Sequence, residues 1–254
     1  MSIERPHNFK LGITNCSTHT ISQLLDEVQT LLSDKSLQPR TLLCVNAHIF
    51  NMAWSDRALL RALNVARLVA ADGMSIVWAS RLFDARVPER CNMTEAFRAF
   101  LQSDIMPANV GVLVGMTDEE LKLASNNIEV MSSHCRIINT ISGFLHESQY
   151  YDMLEMHKDV DFIFLGMGTP KSEKISKIAS AACPQAIVWH IGGGTIRIIA
   201  GTMREAPLFM RRMGLQWLHR LSRDPVTYWR RYLVGNPLFL YRLLVSRARP
   251  GLRA

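Results

Sequence analysis

Cysteine is scarce in this chain and oddly distributed. The 254 residues hold five, at Cys16, Cys44, Cys91, Cys135 and Cys183, widely scattered and with no C-x-x-C pair. An odd, dispersed set excludes a disulfide framework and a zinc ribbon, and a reducing cytoplasm is expected. No stretch approaches the roughly 18 consecutive apolar residues of a spanning helix. The opening MSIERPHNFKLGITN has no apolar core after a basic start. Neither export nor insertion across a membrane is therefore expected. The eight histidines form no H-E-x-x-H pattern and no G-x-S-x-G elbow occurs, so zinc and serine hydrolysis lack support. Repeats and low-complexity tracts are also missing. With 48% hydrophobic and 20% charged residues, the composition suits one large core, or a core with a small appendage.

Acidic residues nearly vanish towards the end of the chain. Residues 1–196 carry 17 Lys and Arg against 20 Asp and Glu, a balance of −3, whereas residues 197–254 carry 12 against 2, a balance of +10. All twelve basic residues of that tail are arginine. Such asymmetry points to a polyanionic partner: nucleic acid, an anionic lipid surface or the phosphates of a substrate. Arginine in place of lysine favours forked contact with phosphate or carboxylate.

What is present is an alternation. FKLGIT, TLLCVNA, RLVAA, NVGVLVG, CRIINTI, DFIFLGM and AIVWHIG read as strands. Between them, 18–34, 55–66, 117–134, 146–159 and 169–183 have helical period and cap-like starts. The pattern predicts a doubly wound, mostly parallel α/β (Rossmann-like) domain over 1–196. A C-terminal helical, Arg-rich appendage over 197–254 would follow, with two or three short helices punctuated by Pro225 and Gly235-Asn236-Pro237. Trp217, Leu218 and Leu221 accompany Arg220, and Tyr228, Trp229 and Tyr232 surround Arg230 and Arg231. Basic faces set against aromatic and leucine faces suit a membrane interface, and equally suit packing on the α/β core.

Ligands of open parallel sheets bind beyond the carboxyl ends of the strands, and three ends are unusual. Asn46 follows LLCV, where its amide could hold a ligand or cap a turn. Asp72-Gly73 ends RLVAA as a turn, a presented carboxylate, or both. Gly166 and Gly168 end FIFLG before Pro170 and a helix, a setting suited either to an anion or to a plain tight turn. IGGGT, residues 191–195, forms a further glycine wall. Asp159-Val160-Asp161 resembles a metal-holding D-x-D, but it precedes its strand and so falls at the opposite edge.

VNAHIFNMA, AADGMSIVWASR, PERCNMTEAF, FLGMGTPKSEK, IAGTMREAP and GLQWLHRLSRDPVTYWRRYL together resemble, in order and spacing, the WecG/TagA/CpsF family of bacterial glycosyltransferases, family 26. The resemblance covers roughly residues 10–245. It implies an inverting sugar transfer, without metal or other cofactor, from a UDP-sugar of N-acetylmannosamine type or a hexose. The implied acceptor is a polyprenyl-diphosphate-linked saccharide of surface polysaccharide synthesis, and the implied location is cytoplasmic, peripheral at the anionic inner face of the cell membrane. Assembly as a homo-oligomer stays open.

Carried over by position, Asp72 matches the proposed general base, with Gly73 beside it. Asn46 matches an asparagine near the donor sugar, and Arg90 an arginine 18 residues after the aspartate. Ser172 and Glu173 lie in the G-x-P-x-Q-E block, and Arg220 and Arg230 match appendage arginines that grip diphosphate; the adjacent Arg231 is counted with them as substrate-binding. The chain departs from the pattern at Ser172 for glutamine, Cys44 for threonine, Met93-Thr94-Glu95 for Gly-Thr-Asp, Arg197 for aspartate and Thr227 for arginine. These changes surround donor contacts and leave the sugar open. Two alternatives stand beside this expectation. One is a diverged, non-catalytic member that partners another glycosyltransferase. The other is a Rossmann-like protein holding nucleic acid through its phosphates. No helix-turn-helix or RNA-binding signature accompanies the basic tail, so nucleic acid is not the expected partner.

Overall fold

The computed structural model describes residues 8–104 and 106–248; the tail arginines Arg249 and Arg253 lie outside them. Six strands form one parallel sheet: β3 (Thr41–Val45), β4 (Leu68–Ala71), β5 (Asn109–Gly115), β6 (Cys135–Ser142), β7 (Phe162–Gly166) and β8 (Ile187–His190), in the order β4-β3-β8-β7-β5-β6. This is the doubly wound architecture the alternation predicts.

FKLGIT departs from the expectation of a single strand. Its residues fold into an antiparallel hairpin of β1 (Asn8–Leu11) and β2 (Thr14–Ser17), outside the six-stranded sheet. Gly12 makes the turn at φ +59, a backbone region that glycine enters without a Cβ penalty. A Cβ there would also meet the Ser246 hydroxyl at 2.6 Å, so the turn doubles as a packing contact.

Strands buried on both faces read as continuous apolar runs, and alternate side chains then serve two cores. Along β7, Phe162 and Phe164 face one cluster while Ile163 and Leu165 face another. The first cluster holds an aromatic stack in which Phe97, Phe100, Phe164 and Trp189 meet with ring centroids 4.9–6.2 Å apart. Helices α1 (Ile21–Ser33), α5 (Met93–Leu101), α6 (Asp118–Met131) and α9 (Gly193–Ile199) cover that side. The other side is covered by α7 (Gln149–Glu155) and α8 (Lys171–Ala182), continued by α3 (Arg57–Val65). Thr20 and Thr117 start α1 and α6 with reciprocal capping boxes, through Gln23 and Glu120. Four short helices lie outside the segments expected to be helical: α2 (Ala47–Ala53), α4 (Met74–Ser80), α5 and α9.

Beyond α9 come α10 (Leu208–Arg212), α11 (Gln216–Arg223), α12 (Pro225–Trp229) and α13 (Gly235–Ala248). Pro225 starts α12 behind the capping Asp224, as expected. Gly235-Asn236-Pro237 does not interrupt the chain as predicted. A π-helical turn over Arg230–Val234 joins α12 to α13, with the Gly235 N–H donating to the Arg230 carbonyl five residues back. The widened turn carries the helix past a proline that lacks the N–H for an ordinary α-helical bond. Phe239 and Leu243 of α13 are fully buried in the main core, Phe239 edge-on to Phe50 at 5.1 Å. Burying each is worth roughly 1.5–3 kcal/mol. Among the described residues, no helix is long and apolar enough to cross a membrane.

Candidate active site

The sheet order sets four unusual strand ends side by side. Moving across β4, β3, β8 and β7, the carboxyl edge presents Asp72, Asn46, the Gly192–Gly194 wall and the Gly166–Gly168 turn. Over the first two lies a cavity of about 170 Å³, with Asp72, Gly73, Asn46 and Arg90 in its walls and Arg220 and Arg231 contributed by the appendage. Ligand pockets commonly span about 300–1,000 Å³, so a ligand of that size seated here has to extend across the neighbouring strand ends.

Asp72 is half-buried directly after β4, its backbone N–H bonded to the Val45 carbonyl at 2.9 Å. Gly73 adopts φ +137 and leads into α4. Space for a Cβ exists there, the nearest atom being Ser75 Oγ at 3.7 Å; the backbone angle, not crowding, calls for glycine. The turn and the presented carboxylate are thus one feature. The Asn92 side chain donates to Asp72 Oδ1 at 3.0 Å, while its own Oδ1 caps α5 at Glu95. Asn46 caps α2: its Oδ1 accepts from the N–H groups of His48 and Ile49, both at 3.0 Å. That occupies both lone pairs and leaves Nδ2 as the atom able to serve a ligand.

The roof is cationic. Trp217 of α11 packs on Tyr232 at 5.9 Å, which sets Arg220 and Arg231 over the same cavity. A Cβ on Gly194 would lie 3.7 Å from Arg220 Nη2, so that guanidinium also borders the glycine wall. Arg231 Nε is buried without a hydrogen-bond partner among the described residues. Its charge, after burial, helps push the nearby His48 down from 6.5 to about 4. His48 is therefore neutral around pH 7 and protonates more readily in the unfolded chain. This contribution to stability is full above about pH 6.5 and is lost as pH falls towards 4; the lowered pKa of His19 acts in the same direction. His48→Gln is expected to flatten the dependence of the urea midpoint on pH between 7 and 5. An unchanged slope would show that His48 is not the group concerned.

The chain matches the model of the glycosyl transferase WecG/TagA/CpsF family over residues 9–253. It belongs to that family. Among curated relatives, the N-acetylglucosaminyldiphosphoundecaprenol N-acetyl-beta-D-mannosaminyltransferases of Staphylococcus aureus strains MW2 and MRSA252 are 23% and 24% identical over 256 residues, covering 96% of each chain. The family is one of glycosyl transferases, and this chain is a glycosyltransferase.

Not every sequence-predicted position of this glycosyltransferase reaches the cavity. Arg230 is exposed and lies over the Trp229 ring at 5.2 Å, while Arg231 lines the cavity. Thr94 is buried, sharing a 2.8 Å hydrogen bond with Thr195. Gly166 is a packing position, since a Cβ there would overlap the Ile196 side chain, whereas nothing approaches the Cβ position of Gly168 within 4 Å. Ser172 is buried and donates to the Met167 carbonyl at 3.0 Å. Glu173 accepts from Thr169 at 2.9 Å and borders a separate cavity of about 570 Å³ between α3 and α8. The walls of that cavity are largely helix side chains away from the strand ends.

Among the positions that depart from the family pattern, Arg197 pairs with Glu120 at 3.2 Å and Thr227 lies in the first turn of α12. Burial first, and then the charge of Asp72, holds the Cys44 thiol well above its usual range. Asp161 of the D-x-D accepts from the Val110 N–H and pairs with Lys35 at 3.6 Å, at the amino edge of β7. Asn92, His48, Gln216 and Trp78 line the cavity without having been singled out from sequence. Asn92 alone carried a signal, as a cap residue three before Glu95.

Proposed function

We propose that this glycosyltransferase moves a sugar from a UDP-sugar to a polyprenyl-diphosphate-linked saccharide, with inversion and without a metal, at the inner face of the cell membrane. The observation carrying this reading is Asp72, held at the end of β4 in a cavity roofed by Arg220 and Arg231. In the reaction, the acceptor hydroxyl oxygen forms a bond to the anomeric carbon as its proton passes to Asp72. The bond from that carbon to UDP breaks on the opposite face, and the electron pair leaves with the diphosphate. A base and a positively charged leaving-group site are what that step requires. Arg220 and Arg231 meet the departing charge, and the open Gly168 turn at the start of α8 gives phosphate room to approach backbone N–H groups. The appendage over 197–254 serves as the membrane- and acceptor-binding part, with exposed arginines such as Arg212, Arg223 and Arg230 meeting lipid phosphates.

The names of the Staphylococcus aureus relatives favour an N-acetylmannosamine donor and an acceptor ending in N-acetylglucosamine diphosphate lipid. UDP-sugars incubated with polyprenyl-diphosphate N-acetylglucosamine and read by mass spectrometry test donor and reaction class together. Addition of one sugar residue is expected, with the anomeric configuration inverted by NMR and the yield unchanged by EDTA. Failure of every donor to yield product would overturn this choice of donor and acceptor.

A further inference from the structure

The segment roofing the cavity buries almost nothing of its own. Helices α10, α11 and α12 and the π-helical turn contain no buried residue. The segment is held at its two ends by different physics. At the far end, α13 plugs Phe239 and Leu243 into the core. At the near end, Ala206 is the one buried residue between 201 and 216, and the attachment there is ionic. Arg98 Nη2 meets Glu205 Oε2 at 3.2 Å, and Glu205 Oε1 meets Arg211 Nη1 at 3.0 Å. The same Arg211 nitrogen lies 3.5 Å from Glu95 Oε1, and Glu95 takes Arg90 Nη2 on both oxygens at 2.9 and 3.0 Å. The ladder ends in the active cavity, where Arg90 Nη1 is 3.4 Å from Gln216 Oε1 of α11.

Two carboxylates thus separate three guanidinium groups, and side-chain exposures of 11–29% keep the ladder partly out of water. Removing either carboxylate leaves like charges facing one another with reduced screening, which pushes the appendage from the body. We propose that Glu95 and Glu205 are positioning residues for sugar transfer. They dock the near end of the appendage on α5, so that Arg90 is fixed in the cavity wall and Arg220 is carried over the Gly194 wall. The proposal rests on the function given above for the cavity, but the docking itself can be read without substrate.

Glu205→Gln and Arg98→Gln break one contact from opposite sides, and neither residue lines the cavity. Each is expected to lower kcat about tenfold, because Arg220 is no longer held where it meets the departing diphosphate, while the KM for UDP-sugar stays within about twofold. Each is also expected to hasten the first tryptic cuts within 208–234. The double variant should be no worse than Glu205→Gln alone, because that substitution already removes the contact with Arg98. Arg98→Lys, which keeps the charge, should stay near the parent, separating loss of the ion pair from a general packing defect. Unchanged tryptic cutting in both single variants overturns the proposal whether or not transfer is detected, as do losses that multiply in the double variant. A parent protein that transfers nothing defeats the functional reading alone, and the tryptic comparison still decides the ladder.

Discussion

Asp72→Asn is expected to lower sugar transfer by about 10²–10⁴-fold, the range for loss of a general acid–base group, with donor affinity nearly unchanged. The substitution is structurally mild. The Asp72 backbone is held by the Val45 carbonyl and by the φ +137 of Gly73, neither of which involves the carboxylate. The remaining amide oxygen can still accept from Asn92, as Oδ1 does in the parent at 3.0 Å. What disappears is the capacity to take a proton from the acceptor. Turnover by mass spectrometry and UDP-sugar affinity by calorimetry separate chemistry from binding. Near-parental turnover would place the base elsewhere.

The second large effect concerns the membrane. Removing everything after residue 200 is a poor test, because Phe239 and Leu243 belong to the main core and their loss would expose Phe50. A cleaner change spares the buried face of α13 and alters the outward one. Leu240, Tyr241 and Leu244 of α13, with Leu233 of the π-helical turn before it, are all more than half exposed. Exchanging the four for serine leaves Arg220 and Arg231 in place. If each gives up about 1 kcal/mol of interfacial burial, binding to anionic vesicles falls by roughly 10²–10³-fold. Activity on lipid-linked acceptor should fall with it, while folding stability holds. Sedimentation with vesicles containing phosphatidylglycerol measures this. Equal binding by parent and variant would show that these side chains are not the membrane contact.

The parallel sheet was legible because its strands, the edge strand β6 excepted, are buried on both faces and read as short apolar runs between longer amphipathic segments. The hairpin was misread because FKLGIT has a strand's composition and the single Gly12 gives little warning that the chain reverses. At Gly235-Asn236-Pro237 the residues were breakers by every local rule. The π-helical turn that absorbs the proline depends on where α13 is pinned by Phe239 and Leu243. Asp72, Asn46 and Arg220 could be picked out because strand ends and family blocks mark them. Glu173, Ser172 and Thr94 belong to the same blocks but are buried and outside the walls of the Asp72 cavity, since a shared block sets residues close in the chain without fixing which of them faces it.

The amino-acid sequence by itself determined the class of fold, the family, the divided charge and the turn at Asp72-Gly73, all of which follow from local pattern and residue type. Tertiary structure decided which residues share one cavity. Strand order places the ends of β4, β3, β8 and β7 in a row, although residues 72 and 192 are far apart along the chain. It also decided that Arg231 roofs the cavity while Arg230 faces outward, because neighbouring residues on a helical turn point in different directions. Finally, it joined Glu95 to Arg211 across the body and appendage, a pairing set by how the two parts dock and by nothing in the spacing of either residue.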